Sequence, residues 1–253
     1  MKQIQKMNYQ KITEAYYSKW IGMNKSILNF EGAHFIYSPE RNVAQYGYLQ
    51  PMDLYCFHQS GRIIISYGDR AVEKAGALKR EINAFISVDE LKSALLDTYG
   101  VIPKHNIKFA FEDLPMQDGN ARTLTSDDYS TYLAFLKKNN PGCENTDWVR
   151  EYFDEMVINK TCVGVFENNI LASCTDAPGM PYMQDKVQEI GINTSLEYRG
   201  KGYAAAACIL CAKNIIISGK CPQWSTDINN IASEKLAYKT GFARFADVLN
   251  ITL

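Results

Sequence analysis

Ile12, Tyr16, Trp20 and Met23 recur at spacings of three and four residues, and this period predicts a helix over residues 9–23. Residues 34–38 then read as extended. Residues 54–58 and 62–66 predict two strands, closed into a hairpin at Gln59-Ser60-Gly61. Helical spacing returns over 71–85 and 88–99, and Gly100 and Pro103 end the second helix. Residues 106–111 predict a strand. The chain then turns polar over 112–120, with Pro115, Asp118 and Gly119, which makes this stretch the candidate linker. It divides the chain into an N-terminal α/β domain, 1–115, and a second domain, 116–253.

The second part has a more regular pattern. A short strand at 121–124 leads to Thr125-Ser126, which caps a helix reaching about residue 138, and Pro141-Gly142 break it. A helix over 147–156 follows. Strands at 161–167 and 170–175 meet at Asn168-Asn169, and a longer strand covers 186–195. A long helix over 203–217 stops at Ser218-Gly219. A strand at 221–226, a helix at 232–239 closed by Thr240-Gly241, and an extended segment at 242–252 complete the chain. The order is βααβββαβαβ, an α/β (α+β) class of fold.

Composition narrows the function classes. Apolar residues make up 46% of the 253 positions and charged residues 22%, as expected of a globular protein with a sizeable core. The net charge of −1 favours neither nucleic acid nor an anionic membrane as the main partner. The segment 1–6 lacks the apolar core of a signal peptide, and the longest apolar run, 203–212, is too short to span a bilayer. A cytoplasmic location is the expectation.

The seven cysteines (Cys56, Cys143, Cys162, Cys174, Cys208, Cys211 and Cys221) are odd in number and irregularly spaced, which fits reduced thiols. Cys208 and Cys211 form a C-x-x-C inside a helical, apolar stretch, where core packing is the expected role. His34, His58 and His105 show no metal-ligand spacing, and no metal is expected. Tyr16, Tyr17 and Trp20 fit core packing, with the lining of a substrate cleft as the competing reading.

Chemistry concentrates at Arg199-Gly-Lys-Gly202, a tight turn between a strand and the start of the long helix. A helix N-terminus presents unpaired N–H groups and partial positive charge, so an anion fits there. The glycines permit close backbone approach, and Arg199 and Lys201 add charge at the rim. The turn also matches the dinucleotide pattern G-x-G-x-x-A, with Asp227 following the next strand. Only about fifty residues remain after it, however, too few for the repeated βαβ units of that fold.

Arg199-Gly-Lys-Gly202-Tyr-Ala204 also matches R/Q-x-x-G-x-G/A, and a second motif, Asn230 to Phe242, follows the strand ending in Trp224. With the order of elements from residue 121 onward, these motifs resemble the GNAT acetyltransferase superfamily. The strand Glu189-Ile-Gly-Ile and Pro222-x-Trp224 add a likeness to a bacterial subgroup with an extra N-terminal domain. The resemblance implies a C-terminal GNAT fold with a mixed, splayed sheet, preceded by a smaller N-terminal α/β domain.

It implies, further, that acetyl-CoA donates an acetyl group to a small primary amine by direct transfer. The backbone of Ile192, Asn193 and Thr194 would bond the pantetheine arm, and the N–H groups of Gly200, Lys201, Gly202, Tyr203 and Ala204 would take the pyrophosphate. Small residues at 204–207 would let the helix sit close. Asn230 and Ser233 would touch the coenzyme, with helix capping as the alternative for Asn230.

An ammonium of pKa near 10.4 costs about 4–5 kcal/mol to deprotonate at neutral pH, so a general base is needed. Glu189, on the splayed strand, is the candidate. The usual proton-donating tyrosine position holds Ala237, and the adjacent Tyr238 stands about 100° around the helix as the remaining candidate acid. An acyl-CoA-binding or sensing module without catalysis is the alternative, and a homodimer is compatible with either.

Overall fold

The computed structural model describes residues 7–23, 31–59, 61–83, 85–116, 119–142 and 144–253. The leading segment 1–6, the turn residue Ser60, linker positions 117 and 118, and Cys143 lie outside the described residues.

Helix α1 (Tyr9–Ile21) begins where the Asn8 side chain accepts from the Lys11 N–H, and ends at Gly22 in the left-handed region. Strand β1 (Gly32–Tyr37) runs parallel to β3 (Arg62–Tyr67), and β2 (Leu54–Gln59) pairs antiparallel with β3 as the expected hairpin, with Phe57 opposite Ile64. Helices α2 (Val72–Glu81) and α3 (Val88–Tyr99) follow. A reciprocal Ser87–Glu90 capping box starts α3. Strand β4 (Lys104–Phe111) then enters the sheet centre.

Beyond residue 121 the order is β5 (Arg122–Thr123), α4 (Tyr129–Asn139), α5 (Val149–Ile158), β6 (Val163–Glu167), β7 (Ile170–Asp176), β8 (Val187–Glu189), β9 (Gly191–Thr194), α6 (Tyr203–Ile217), β10 (Cys221–Asp227), α7 (Ile231–Lys239) and β11 (Phe242–Ile251). This is the predicted βααβββαβαβ series with one difference. The expected single strand over 186–195 is interrupted at Ile190 and becomes β8 and β9.

That interruption organises the molecule. Val187, Gln188 and Glu189 pair in parallel with Cys221, Pro222 and Gln223 of β10, and Ile190 makes a last bond to the Gln223 carbonyl at 3.0 Å. Gly191–Thr194 instead pair antiparallel with Asp176–Ser173 of β7. The strand therefore leaves a seven-stranded sheet, ordered β1-β3-β2-β11-β4-β10-β8, and joins a four-stranded one, β5-β6-β7-β9.

The seven-stranded sheet runs across residue 116. Strand β4 lies between β10 and β11 and is antiparallel to both. One face carries Tyr16, Tyr17 and Trp20 of α1 against Phe57, Cys221 and Val248. Leu78, Leu91 and Leu95 of α2 and α3 cover the other face near β2 and β3, and α6 covers it near Phe109 and Trp224. Cys208 and Cys211 lie buried in that α6 layer, and burial raises both thiols above the ordinary cysteine value. The histidines are structural: His105 bonds Asp247 at 2.6 Å, and His34 and His58 bond backbone carbonyls.

Candidate active site

The two sheets diverge at Ile190 and leave a cleft of about 550 Å³ between β9 and the end of β10. Ile192, Asn193 and Thr194 line it. One edge of β9 is paired to β7; the edge toward β10 has no strand partner among the described residues, so its backbone groups open to the cleft. The extra bonding capacity suits an elongated ligand carrying amides, which would lie there as an added strand.

Arg199, Gly200, Gly202, Tyr203 and Ala204 form the next wall. Gly200 and Gly202 have φ of 80° and 82°, a conformation that favours glycine. Gly202 has no side chain to cap α6, whose first N–H groups therefore point into the cleft without a side-chain cap. Four bonds brace the turn. Arg199 Nε donates to the Thr194 carbonyl at 3.2 Å, Lys201 Nζ reaches both Glu167 carboxylate oxygens at 2.9 Å, and the Tyr203 hydroxyl donates to Glu167 at 2.7 Å. Lys201, expected at the rim of the anion site, is thus turned to Glu167 and does not line the cleft.

Asn230 and Ser233 line the opposite side. The Asn230 side chain caps α7 by accepting from the Ser233 N–H at 3.1 Å, so capping and facing the cleft coexist. Ser233 Oγ accepts from the indole N–H of Trp224 at 3.2 Å.

On the α1 face of the sheet, Glu189 stands opposite Gln223, and Lys108 of β4 stands opposite Ser225. Lys108 Nζ donates to Ser225 Oγ at 2.7 Å. Ser225 lines both the cleft and a second cavity of about 600 Å³ built largely from the N-terminal part of the chain. Burial raises the Glu189 carboxyl above its ordinary value; the Lys108 ammonium opposes this and Asp176 adds to it. Burial likewise raises the phenols of Tyr16, Tyr17 and Tyr55, with a further contribution from Glu189. Glu189 itself lines neither cavity; it stands next to the splay at Ile190, behind the cleft wall, whereas Ser225, which lines both, is a hydroxyl held by a cation.

Residues 163–247 match the family model described as GNAT acetyltransferase. Over these residues the chain is similar to the GNAT acetyltransferases. Solved structures agree on the GNAT fold. A GNAT-family acetyltransferase from Colwellia psychrerythraea superposes with a TM-score of 0.52 at 17% identity, over 65% of this chain and 62% of that one. A GCN5-related N-acetyltransferase from Sphaerobacter thermophilus gives 0.50 at 14% identity, over 62% and 53% of the two chains. The chain thus spans less than two thirds of either relative. No curated protein matches the sequence significantly.

In GNAT terms the splay at Ile190 and the turn before α6 lie where the resemblance put them. Tyr238 does not. It is 48% exposed, its ring packs edge-on against Phe109, its hydroxyl donates to Glu234 at 3.2 Å, and it lines no part of the cleft. The cause is helical geometry. Ala237 is the residue buried against the sheet, and the next position rotates away.

Three contributors were not singled out from sequence: Lys108, Ser225 and Glu167. Lys108 carried a signal, since it is a charged residue within the strand Ile107-Lys108-Phe109 and so marks a polar site on one face. Trp20, assigned to core packing, is buried and also walls the second cavity.

Proposed function

We propose that the protein transfers an acetyl group from acetyl-CoA to a small primary amine. The observation that carries this is the strand switch at Ile190, which opens the β9 edge beside an uncapped helix N-terminus, with Glu189 at the end of β8. The open edge matches the amides of a pantetheine arm, and the glycine turn matches its pyrophosphate. Bound there, acetyl-CoA supplies the activated acetyl group.

The chain's own residues do the rest. Glu189 takes a proton from the acceptor ammonium. Ser225, held by Lys108, stands at the junction of the two cavities, where its hydroxyl would donate to the departing thiolate. The N-terminal part shapes the acceptor side through Trp20, Tyr48 and Tyr55. Among the described residues no helix is long and apolar enough to cross a membrane. The six described cysteines are free and buried, which suits a reducing, cytoplasmic setting.

The test is calorimetric titration with acetyl-CoA, followed by thiol release on addition of amines. Absence of binding removes the coenzyme reading altogether. Binding without thiol release from any amine leaves a binding module.

A further inference from the structure

The second cavity shares Ser225 with the cleft, and its lining has a definite chemistry. Lys104, Asn106 and Lys108 alternate along one face of β4 and form its floor. Trp20, Tyr48 and Tyr55 form aromatic walls, with the Trp20 and Tyr55 rings stacked at 5.6 Å and 12°. Tyr55 is buried, and its hydroxyl has no hydrogen-bond partner among the described residues.

Both charges lining this cavity are positive, those of Lys104 and Lys108. Lys104 makes no ion pair among the described residues, and the Lys108 ammonium is bonded to a neutral hydroxyl. Among the described residues no carboxylate lines the cavity. Asp227, which stands opposite Asn106, accepts instead from the backbone N–H of Asn229 at 2.8 Å. Burial lowers the Lys108 ammonium from its ordinary value, and the Glu189 carboxylate, on the far side of β10, opposes this and favours the charged form. Charge is therefore ordered along the site, negative at Glu189 and positive from Lys108 to Lys104. A polyamine or aminoglycoside entering here meets two like charges, whereas a molecule with an ammonium at one end and an anion at the other is matched at both.

We infer that the acetyl acceptor is an aminocarboxylate, with its amine directed to Ser225 and Glu189 and its carboxylate held by Lys108 and Lys104. This rests on the acetyl-transfer reading above. In the reaction an amide C–N bond forms and the thioester C–S bond breaks. One nitrogen proton passes to Glu189 and the second ends on the departing sulfur.

The experiment supplies the protein and acetyl-CoA with the common L-amino acids, their decarboxylated amines, spermidine and an aminoglycoside, and follows thiol release. Expected is at least a tenfold higher kcat/KM for one or more amino acids than for the matching decarboxylated amine. That ratio should fall at least tenfold in Lys104→Gln and be retained in Lys104→Arg; position 104 is exposed, so neither change threatens the fold. Equal or better turnover of decarboxylated amines or spermidine overturns this inference and leaves acetyl transfer standing. Thiol release from no amine overturns both.

Discussion

The Lys108 ammonium donates to the Ser225 hydroxyl at 2.7 Å, joining a strand from the N-terminal part of the chain to a strand of the GNAT part where the two cavities meet. The same ammonium acts on Glu189 and holds its carboxyl lower than burial alone would, while Asp176 pushes it higher. If Glu189 is the base, the acidic limb of the kcat/KM profile reports its deprotonation. Lys108→Met should move that limb to higher pH, and Asp176→Asn to lower pH. A limb that stays in place in both variants assigns the base elsewhere.

Glu189→Gln separates catalysis from stability. Loss of a general base costs roughly 10²–10⁴-fold in rate. The folded-state pKa of Glu189 lies above its ordinary value, chiefly through burial. Between the unfolded and folded values the native state binds the extra proton, so the native state gains as pH falls and loses as pH rises through that window. Removing the charge should therefore leave the variant at least as stable as the parent at neutral pH, with the difference growing as pH rises. Denaturant midpoints at several pH values check this, and a variant less stable than the parent throughout contradicts it.

Gly202→Ala tests the turn. With φ at 82°, alanine is strained by about 1–2 kcal/mol. No heavy atom lies within 4 Å of the position its Cβ would take, so there is no clash inside the protein to add to that strain. The variant should fold with a modest loss of stability. Its methyl group would project beside the proposed pyrophosphate site, and acetyl-CoA should bind more weakly even where the variant is fully folded. An unchanged Kd by calorimetry would remove the turn from the coenzyme site.

Much of this arrangement was legible in the chain. The βααβββαβαβ order follows from period and turn residues, since local pattern reports local structure. The splay was implied only by the resemblance; its place at Ile190 was not legible in the residues themselves, because a strand passing from one sheet to another keeps its alternation. Nor was the position of β4, since the choice of neighbour in a sheet is a long-range decision that leaves no mark on the strand. Lys201 looked free to meet a phosphate because its partner, Glu167, is distant in sequence. Tyr238 was the opposite case, where one residue's rotation along a helix already argued against it.

The place of β4 gives the next expectation. Ile107, Phe109 and Phe111 are buried, and the strand bonds to β10 on one side and β11 on the other. A fragment of residues 116–253 would leave both neighbours unpaired in the sheet centre and strip Trp224 and Phe242 of their cover. It should show no cooperative thermal transition and no acetyl-CoA binding, and co-expression with residues 1–115 should restore both. A fragment that folds and binds alone would make the N-terminal part an independent addition.

Arg41 poses the sharpest conflict between stability and function. It is fully buried, and none of its three guanidinium nitrogens has a hydrogen-bond partner among the described residues. Its compensation is the Tyr55 ring, 5.3 Å from the guanidinium carbon, with further attraction from Tyr182 and the Glu40 carboxylate. A desolvated cation–π contact is worth about 2 kcal/mol, less than the several kcal/mol that burying an ion costs. Arg41→Met should therefore match the parent's stability or exceed it, by up to about 4 kcal/mol, as a higher denaturant midpoint with an unchanged slope. The contact also fixes Tyr55, which stacks on Trp20 in the wall of the acceptor cavity. The same variant should raise KM for the acceptor and leave acetyl-CoA affinity as it was. A stability loss of several kcal/mol would show instead that the guanidinium is a structural necessity and the Tyr55 contact incidental.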